Sequence, residues 1–337
     1  MISKKNGAIL AVLVLLIFVP GALAQCPPFY VFIGNDTIQG YGRSVSRAGD
    51  VNNDGFDDLI IGAGPVAFAR GYAFVFSGAD KNDTLMSLSG AELNDKFGFS
   101  VSTAGHINSD ANDDVIIGAY TVHSGGFTNN GRAYVYSGPS ASETLHTFSG
   151  SEDGATLGIS VSSGDVDNDG FDDLIIGSHS IDTSTGEVIV FSGLTGSILH
   201  VFTGENAGDR FGQFVSSAGD VDNDGYADII IGAPGHPAGP IQVGKVYVFS
   251  GQFGNELYTF DGEKGGDKFA TSVSGAGDVD NDGYDDLIIG APDYTSGTTA
   301  DGRVYLFSGQ TGDTLYVLLQ NLIQVTALAF QFHRRET

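Results

Sequence analysis

Tryptophan is absent from this 337-residue chain, and cysteine occurs once, as Cys26. A single cysteine excludes an intramolecular disulfide, so an exported form of the chain would depend on its apolar core and on bound metal. Basic residues are also scarce, because 15 Lys and Arg stand against 41 Asp and Glu, and the net charge is -26. A chain this acidic repels phosphate backbones, so nucleic acid is not an expected partner.

Motifs of the common enzyme classes are missing as well. The sequence has no Gly-x-Ser-x-Gly elbow, no His-Glu-x-x-His pair and no phosphate-binding loop. Its seven histidines do not all share one repeat position, so they form no ring of ligands. We therefore predict no catalytic residues and no organic cofactor, and we expect this chain not to be an enzyme.

The first 24 residues have the layout of a secretory signal peptide. Lys4 and Lys5 precede an apolar run at 8–19, and small residues follow at 22–24. The run is shorter than the ~20 residues that cross a bilayer. We therefore expect cleavage after Ala24, a secreted or cell-surface location, and no membrane span in the mature chain.

Acidic residues are concentrated in five copies of one nine-residue stretch, whose starts lie 55 to 59 residues apart. The copies cover 50–58, 106–114, 165–173, 220–228 and 278–286, and we number their positions one to nine. A fixed period of this size indicates an array of supersecondary units. Oxygen-bearing side chains at alternate positions favour a hard cation such as Ca2+. The sequence therefore predicts a calcium-binding repeat protein.

Four of these loops carry a complete candidate ligand set, with side chains at positions one, three, five and nine and the backbone carbonyl at position seven. The predicted ligands are Asp50, Asn52, Asp54, Phe56, Asp58; Asp165, Asp167, Asp169, Phe171, Asp173; Asp220, Asp222, Asp224, Tyr226, Asp228; and Asp278, Asp280, Asp282, Tyr284, Asp286. An EF-hand is not indicated, because position twelve is isoleucine in these four copies rather than glutamate.

The second loop departs from the others. It has His106 at position one and Ala111 where the other loops have glycine. We therefore expect about four Ca2+ sites, with the loop 106–114 empty. Asp-Asn-Asp-Gly also occurs in ordinary turns, but copies with the same spacing favour the metal interpretation.

Each repeat also contains four short apolar runs bounded by Gly, Pro, Asn or Asp, which predicts four antiparallel strands. Runs such as 59–61, 115–117 and 287–289 are apolar without alternation, so they need cover on both faces. Four-stranded sheets stacked face to face provide this cover, as in a β-propeller. A β-solenoid is disfavoured, because its coils are roughly 20–30 residues long. We predict an all-β propeller.

The repeat resembles the FG-GAP repeat of integrin α-subunit propellers and their prokaryotic relatives. A Phe-Gly element stands at 97–98 and 211–212, a Gly-Ala-Pro element at 232–234 and 290–292, and the acidic loop lies between the two elements. The resemblance covers residues 29 to about 319. It implies Ca2+ on the hairpins between first and second strands, and ligand contacts on the opposite face.

The resemblance also sets the expected domain organisation, a propeller at 25–319 with five FG-GAP repeats. The predicted blades are about 35–90, 91–150, 151–204, 205–262 and 263–319. The loops expected to contact ligand vary most among the repeats and lie at 64–71, 120–131, 178–186, 234–244 and 292–302.

Two features depart from the integrin pattern. Integrin-type propellers have seven blades, so five repeats predict an incomplete, open ring or a small five-bladed one. Residues 29–34 resemble an extra fourth strand that would compete with 315–318. The repeat pattern ends after Leu318, which leaves 320–337 as an atypical tail, and a membrane span at 315–332 is a disfavoured alternative.

These observations favour a binding or adhesion module with an extracellular protein or polysaccharide as its ligand. One alternative is the non-catalytic propeller portion of an extracellular hydrolase-type protein. Another is a purely structural repeat or a truncated reading frame.

Overall fold

The computed structural model describes residues 32–34, 40–64, 69–80, 82–141, 143–179, 185–237, 241–295 and 301–319. All secondary-structure elements in these ranges are β-strands, which confirms the all-β prediction. The strands form five separate four-stranded sheets, and consecutive strands pair antiparallel within each sheet. We call these sheets blades one to five.

The strand bounds repeat closely from blade to blade. Blade one contains β1 (Tyr41–Gly49), β2 (Asp58–Ala63), β3 (Tyr72–Phe76) and β4 (Thr84–Ser89), and blade two contains β5 (Ser100–Gly105), β6 (Asp114–Ala119), β7 (Arg132–Tyr136) and β8 (Thr144–Ser149). Blade three contains β9 (Ser160–Gly164), β10 (Asp173–Ser178), β11 (Glu187–Phe191) and β12 (Ile198–Thr203). Blade four contains β13 (Phe214–Gly219), β14 (Asp228–Ala233), β15 (Lys245–Phe249) and β16 (Glu256–Asp261), and blade five contains β17 (Ser272–Gly277), β18 (Asp286–Ala291), β19 (Arg303–Phe307) and β20 (Thr314–Leu319).

The second strand of each blade forms the centre of the core. Strands β6, β10, β14 and β18 are buried along their whole length, as their unbroken apolar runs predict. In β6, Ile117 packs in an apolar cluster with blade one, whereas its neighbour Ile116 packs in a cluster with blade three. Successive side chains of a strand point to opposite faces, so one strand supplies two interblade cores.

The blades form an open arc. The first strands β1, β5, β9, β13 and β17 contact one another in that order, and the sheets of the described residues are not closed into a ring. Strand β20 supplies the fourth strand of blade five, as predicted for 315–318. Of the predicted extra strand at 29–34, residues 32–34 are not in a strand and the remainder lies outside the described residues.

Other predictions about the chain ends lie outside the described residues as well. These are the signal peptide at 1–24 and the tail at 320–337. In the part of the chain that is described, no helix has the length and apolar character needed to cross a bilayer.

Glycine in the second strand permits the blades to approach closely. A Cβ on Gly118 would overlap the carbonyl oxygen of Gly158 in the next blade, and the same holds for Gly62 against Gly98. In blade five, the equivalent Gly290 meets only Ser272 of its own blade among the described residues. The close backbone approach therefore explains the glycine at positions 118 and 62 but not at position 290.

Alanine substitutions at Gly118 and Gly290 should show whether loss of stability comes from interblade contact or from strand propensity. We expect Gly118→Ala to lower the free energy of unfolding by about 1–3 kcal/mol, because its neighbour is backbone and cannot rotate away. Gly290→Ala should change it by less than about 1 kcal/mol, because the Ser272 hydroxyl can rotate. Thermal and urea unfolding measure both values. Equal losses would contradict the close approach as the cause.

Candidate metal sites and the opposite face

All five acidic loops lie at the same end of the blades, where each first strand passes to its second strand. The fourth loop, for example, begins at Asp220 after β13 and ends at Asp228, the first residue of β14. Because the first strands lie side by side along the arc, the loops form a row at that end. We call this the loop end, and the other the opposite end.

The aspartate at position one organises its own loop. The Oδ1 and Oδ2 atoms of Asp220 accept hydrogen bonds from the backbone N–H groups of Asp224 and Gly225, both at 2.9 Å. The Oδ1 atom of Asp224 accepts one from the Tyr226 N–H at 3.0 Å. The same three bonds recur in the first, third and fifth loops. The carboxylates thus wrap the backbone around a common centre.

Two positions give these loops their tight path. Gly225 at position six has φ 92°, and Asn223 at position four has φ 57°. Both values lie in the left-handed region, which glycine enters freely and asparagine more readily than most residues. The role of the glycine is predicted from the sequence and that of the asparagine is not, although Asn stands at position four in all four predicted metal loops.

Position nine has a structural role in addition to any role as a ligand. Asp228 is fully buried. Its Oδ2 atom accepts the Val221 N–H at 2.8 Å, and its Oδ1 atom accepts the Gly251 N–H, just after β15, at 2.9 Å. Equivalent bonds occur in the other blades. This carboxylate therefore ties the loop to the end of the third strand.

Burial destabilises the ionised form of these carboxylates. Loss of solvent raises the pKa of Asp114, Asp173 and Asp228 to about 7, and the backbone hydrogen bonds only partly oppose this. Burial and the neighbouring carboxylates also raise the pKa of Asp167 and Asp222 at position three. A cation among them would favour the ionised forms.

The third, fourth and fifth loops bring carboxylate oxygens together at metal-ligand spacing. Oxygens within 4.8 Å of one another come from Asp165, Asp167 and Asp173, from Asp220, Asp222 and Asp228, and from Asp278, Asp280 and Asp282. Within these loops, Asp167 Oδ1 and Asp224 Oδ2 are buried without a hydrogen-bond partner, and Gln213 Oε1 and Asp267 Oδ2 are so outside them. A buried oxygen without a partner is unfavourable, so the donor sets fit a hard, oxygen-liganded cation.

The second loop differs from the others in its residues and in its backbone conformation. The Asn108 amide donates to Asp114 Oδ2 at 3.2 Å, and the Ser137 hydroxyl donates to Asp110 Oδ2 at 3.4 Å. Neither Ser109 nor Ala111 has the positive φ of its counterparts in the other loops. In the first loop, the Asn52 amide likewise donates to Asp54 Oδ2 at 3.0 Å. The features that set the second loop apart are therefore His106 at position one and the absence of positive φ at positions four and six.

Charge differs sharply between the two ends of the blades. Of the basic side chains in the described residues, only Arg47 lies at the loop end. The opposite end carries Arg43, Arg70, Lys96, Arg132, Arg210, Lys245, Lys264, Lys268 and Arg303. The acidic loops make the loop end repel anions, whereas the opposite end mixes both signs.

A cavity of about 360 Å³ opens at the opposite end between blades one and two. It is lined by Arg43, Lys96, Phe99 and Tyr120 together with Tyr41 and nearby glycines. The Arg43 guanidinium lies 4.3 Å from the Phe99 ring centroid, and the Phe99 and Tyr120 rings meet at 4.6 Å. Of the residues that line the cavity, Tyr120 and Gly64 belong to loops predicted from the sequence to contact ligand.

Comparison with known proteins agrees with this geometry. A family model described as FG-GAP repeat matches residues 41–76, 157–191, 211–249 and 269–307. These matches lie in blades one, three, four and five, the blades whose acidic loops are intact. Blade two has the same four-stranded sheet, but its loop has lost the metal pattern.

The chain is also similar to integrin alpha subunits. It is 35% identical to Integrin alpha-5 of Xenopus laevis over 216 residues, which are 58% of this chain and 20% of that protein. It is 29% identical to Integrin alpha-4 of Xenopus laevis over 252 residues, 70% of this chain and 24% of that protein. The chain thus spans about a fifth to a quarter of the length of these relatives.

A solved structure described as the Dos1 propeller is similar over 77% of this chain and 54% of that one, at 14% identity and a TM-score of 0.46. The repeats and the stacked four-stranded sheets define an open-ring β-propeller built from FG-GAP repeats. Because the chain contains FG-GAP repeats and is similar to integrin alpha subunits, it is an integrin-like FG-GAP propeller.

Proposed function

We propose that this chain is an extracellular, calcium-binding propeller that acts as a non-catalytic binding or adhesion module. The single observation that carries the calcium part is the pair of buried carboxylate oxygens without partners, Asp167 Oδ1 and Asp224 Oδ2, inside clustered acidic loops. The integrin alpha relatives support the adhesion part. The propeller domain proposed is 25–319, with the blade boundaries given by the sequence repeats.

Four loops would hold Ca2+, through the side chains at positions one, three, five and nine and the carbonyl at position seven. Calcium accepts six to eight oxygen ligands in flexible geometry, which suits a loop of carboxylates and carbonyls. Magnesium suits it less, because it requires near-octahedral geometry and keeps several waters. The bound ion would neutralise the buried carboxylates and hold the first hairpin of each blade rigid.

The ligand would bind at the opposite end. Its basic and aromatic side chains, Arg43, Lys96, Phe99 and Tyr120, surround an open cavity on a rigid scaffold. Functional contacts are commonly made by loops that a rigid scaffold positions. Because the loop end repels anions, an acidic protein or polysaccharide would approach this end.

Two arginines of the same strand offer a matched test of the ligand end. Arg43 and Arg47 both lie in β1, but Arg43 lines the cavity and Arg47 lies at the loop end. Binding of the calcium-loaded chain is measured on an array of matrix proteins and of neutral, uronate and sulfated polysaccharides. We expect Arg43→Gln to reduce binding to the captured ligand about fivefold or more, and Arg47→Gln to leave it within twofold.

The outcomes separate the alternatives. Equal effects of the two variants would contradict the assignment of the ligand end. A calcium-loaded chain that captures nothing on the array would favour a purely structural repeat. Hydrolysis of an arrayed substrate by the purified chain would contradict the non-catalytic assignment.

A further inference from the structure

Loops of neighbouring blades are hydrogen-bonded to each other through a residue that the ligand pattern does not include. Asp113, at position eight of the second loop, accepts the backbone N–H of Asp50 through its Oδ2 atom at 2.7 Å. The N–H of Asp113 in turn donates to the Asp50 carbonyl oxygen at 3.1 Å. The first residue of the first loop is therefore held from blade two.

The arrangement repeats along the arc, with informative differences. Asp285 of blade five holds Asp220 of the fourth loop in the same way, through a side-chain bond of 2.8 Å and a backbone bond of 3.1 Å. Blade four has Ala227 at position eight, so only its backbone N–H reaches Asp165 of the third loop, at 2.9 Å. No later blade in the described residues follows Asp278 of the fifth loop.

A β-bulge precedes the first and fourth loops, which receive the side-chain bond, and one also precedes the fifth loop. In β13 the pairing register shifts between Ser217 and Gly219, and Gly219 has φ 78°. A Cβ on Gly219 would overlap the Asp285 carboxylate, so the glycine admits that side chain. Strand β9, which leads to the third loop, pairs without a bulge up to Gly164. The bulge and the position-eight aspartate thus occur together before the fourth loop and are both missing around the third.

We propose that Asp113 and Asp285 are positioning residues that couple a calcium site to the next blade. This inference rests on the proposed calcium binding. The Asp220 carboxylate organises the fourth loop through the Asp224 and Gly225 N–H groups. A hydrogen bond to the Asp220 backbone therefore fixes the position of the residue that organises the other ligands. Because the loop is already ordered, it loses less conformational entropy when the ion binds.

Loops of this chain that have the same carboxylates but different anchorage allow the inference to be tested. The third, fourth and fifth loops have the same carboxylates at positions one, three, five and nine. The third and fourth loops differ in their anchorage, because the fourth has two bonds from the next blade and the third has one. As free calcium falls, the third loop should therefore lose its ion before the fourth.

Hydrogen exchange with mass spectrometry on the whole chain, at graded free calcium, measures each loop separately. We expect Asp285→Ala to raise the calcium midpoint for protection of residues 220–226 about tenfold and to leave residues 165–171 within twofold, since hydrogen bonds to charged groups are strong. Asp285→Asn keeps an acceptor oxygen, so its shift should be clearly smaller. Asp57→Ala is the matched control, because Asp57 has the same loop position and is exposed, and it should leave residues 165–171 and 220–226 within twofold.

The possible results are distinct. If calcium protects no loop, the proposed calcium binding fails. If calcium protects the loops but Asp285→Ala leaves the midpoint of residues 220–226 unchanged, the coupling is wrong and calcium binding stands. An equal shift of all loops, or equal shifts from Asp285→Asn and Asp285→Ala, would also overturn it, because general destabilisation or charge loss would then be the cause.

Discussion

Chelation of calcium should lower the melting temperature of this chain by about 10 °C or more. Each proposed site would stabilise the folded state by RT ln(1 + [L]/Kd), which is about 2.7 kcal/mol at a hundredfold excess over Kd, and the four proposed sites would act on one arc of blades. The ion would also offset the cost of burying the ionised Asp173 and Asp228 carboxylates, each beside other carboxylates of its own loop. Scanning calorimetry in millimolar Ca2+ and in excess chelator measures the shift.

The size of the shift should depend on pH. Burial raises the pKa of Asp173 and Asp228 from about 4 to about 7. Without metal, the folded state therefore binds more protons than the unfolded state between these values, and its stability falls as pH rises through this window. Calcium requires the ionised carboxylates, so its stabilising effect should be small at pH 5 and large at pH 7.5.

Two controls sharpen this prediction. Asp224→Asn removes a position-five carboxylate and should reduce the calcium-dependent shift, whereas Asp110→Asn, at position five of the second loop, should leave it intact. Magnesium at the same concentration should stabilise the chain much less. A melting temperature that is the same in calcium and in chelator at pH 7.5 would contradict the metal assignment for all four loops.

Replacement of the position-nine aspartate should destabilise every blade, including blade two, whose loop is predicted to be empty. Asp114→Ala removes the acceptor of the Gly138 and Ile107 N–H groups and leaves both without their partner in the core. We expect a loss of about 2–4 kcal/mol in the free energy of unfolding. This loss should be the same with calcium and with chelator, because the second loop is predicted to be empty.

Asp228→Ala provides the comparison in a predicted metal loop. It breaks the bonds from Val221 and Gly251 and also removes a candidate ligand. Its loss should therefore exceed that of Asp114→Ala in calcium and match it in chelator. Urea unfolding of both variants under both conditions provides the four values. A calcium-dependent loss for Asp114→Ala would show that the second loop binds metal after all.

Much of this architecture could be predicted from local sequence. The unbroken apolar run at 287–289 identified a strand buried on both faces, and the structure places it in β18, which is buried along its whole length. The turn residues between apolar runs predicted four strands in each repeat, and each blade has four. These predictions succeed because strand period and turn composition act over a few residues.

Other features could not be read from one repeat. Sequence analysis treated Asp228 only as a ligand, whereas the structure shows it bonded to the backbone of Val221 and Gly251. It also gave no role to Asp285, which contacts a loop 65 residues away in sequence. A carboxylate in an acidic loop looks the same in sequence whether it faces an ion, its own backbone or the next blade.

By itself, the sequence determined the all-β class, the four strands of each repeat and the acidic loops, because each depends on spacing within about ten residues. Tertiary structure decided that the described blades form an open arc and not a small five-bladed ring, that Gly118 lies against the next blade, and that Asp285 anchors Asp220. These properties depend on how one sheet is placed on its neighbour. That placement is set by packing and backbone approach between distant segments, which no local pattern of residues records.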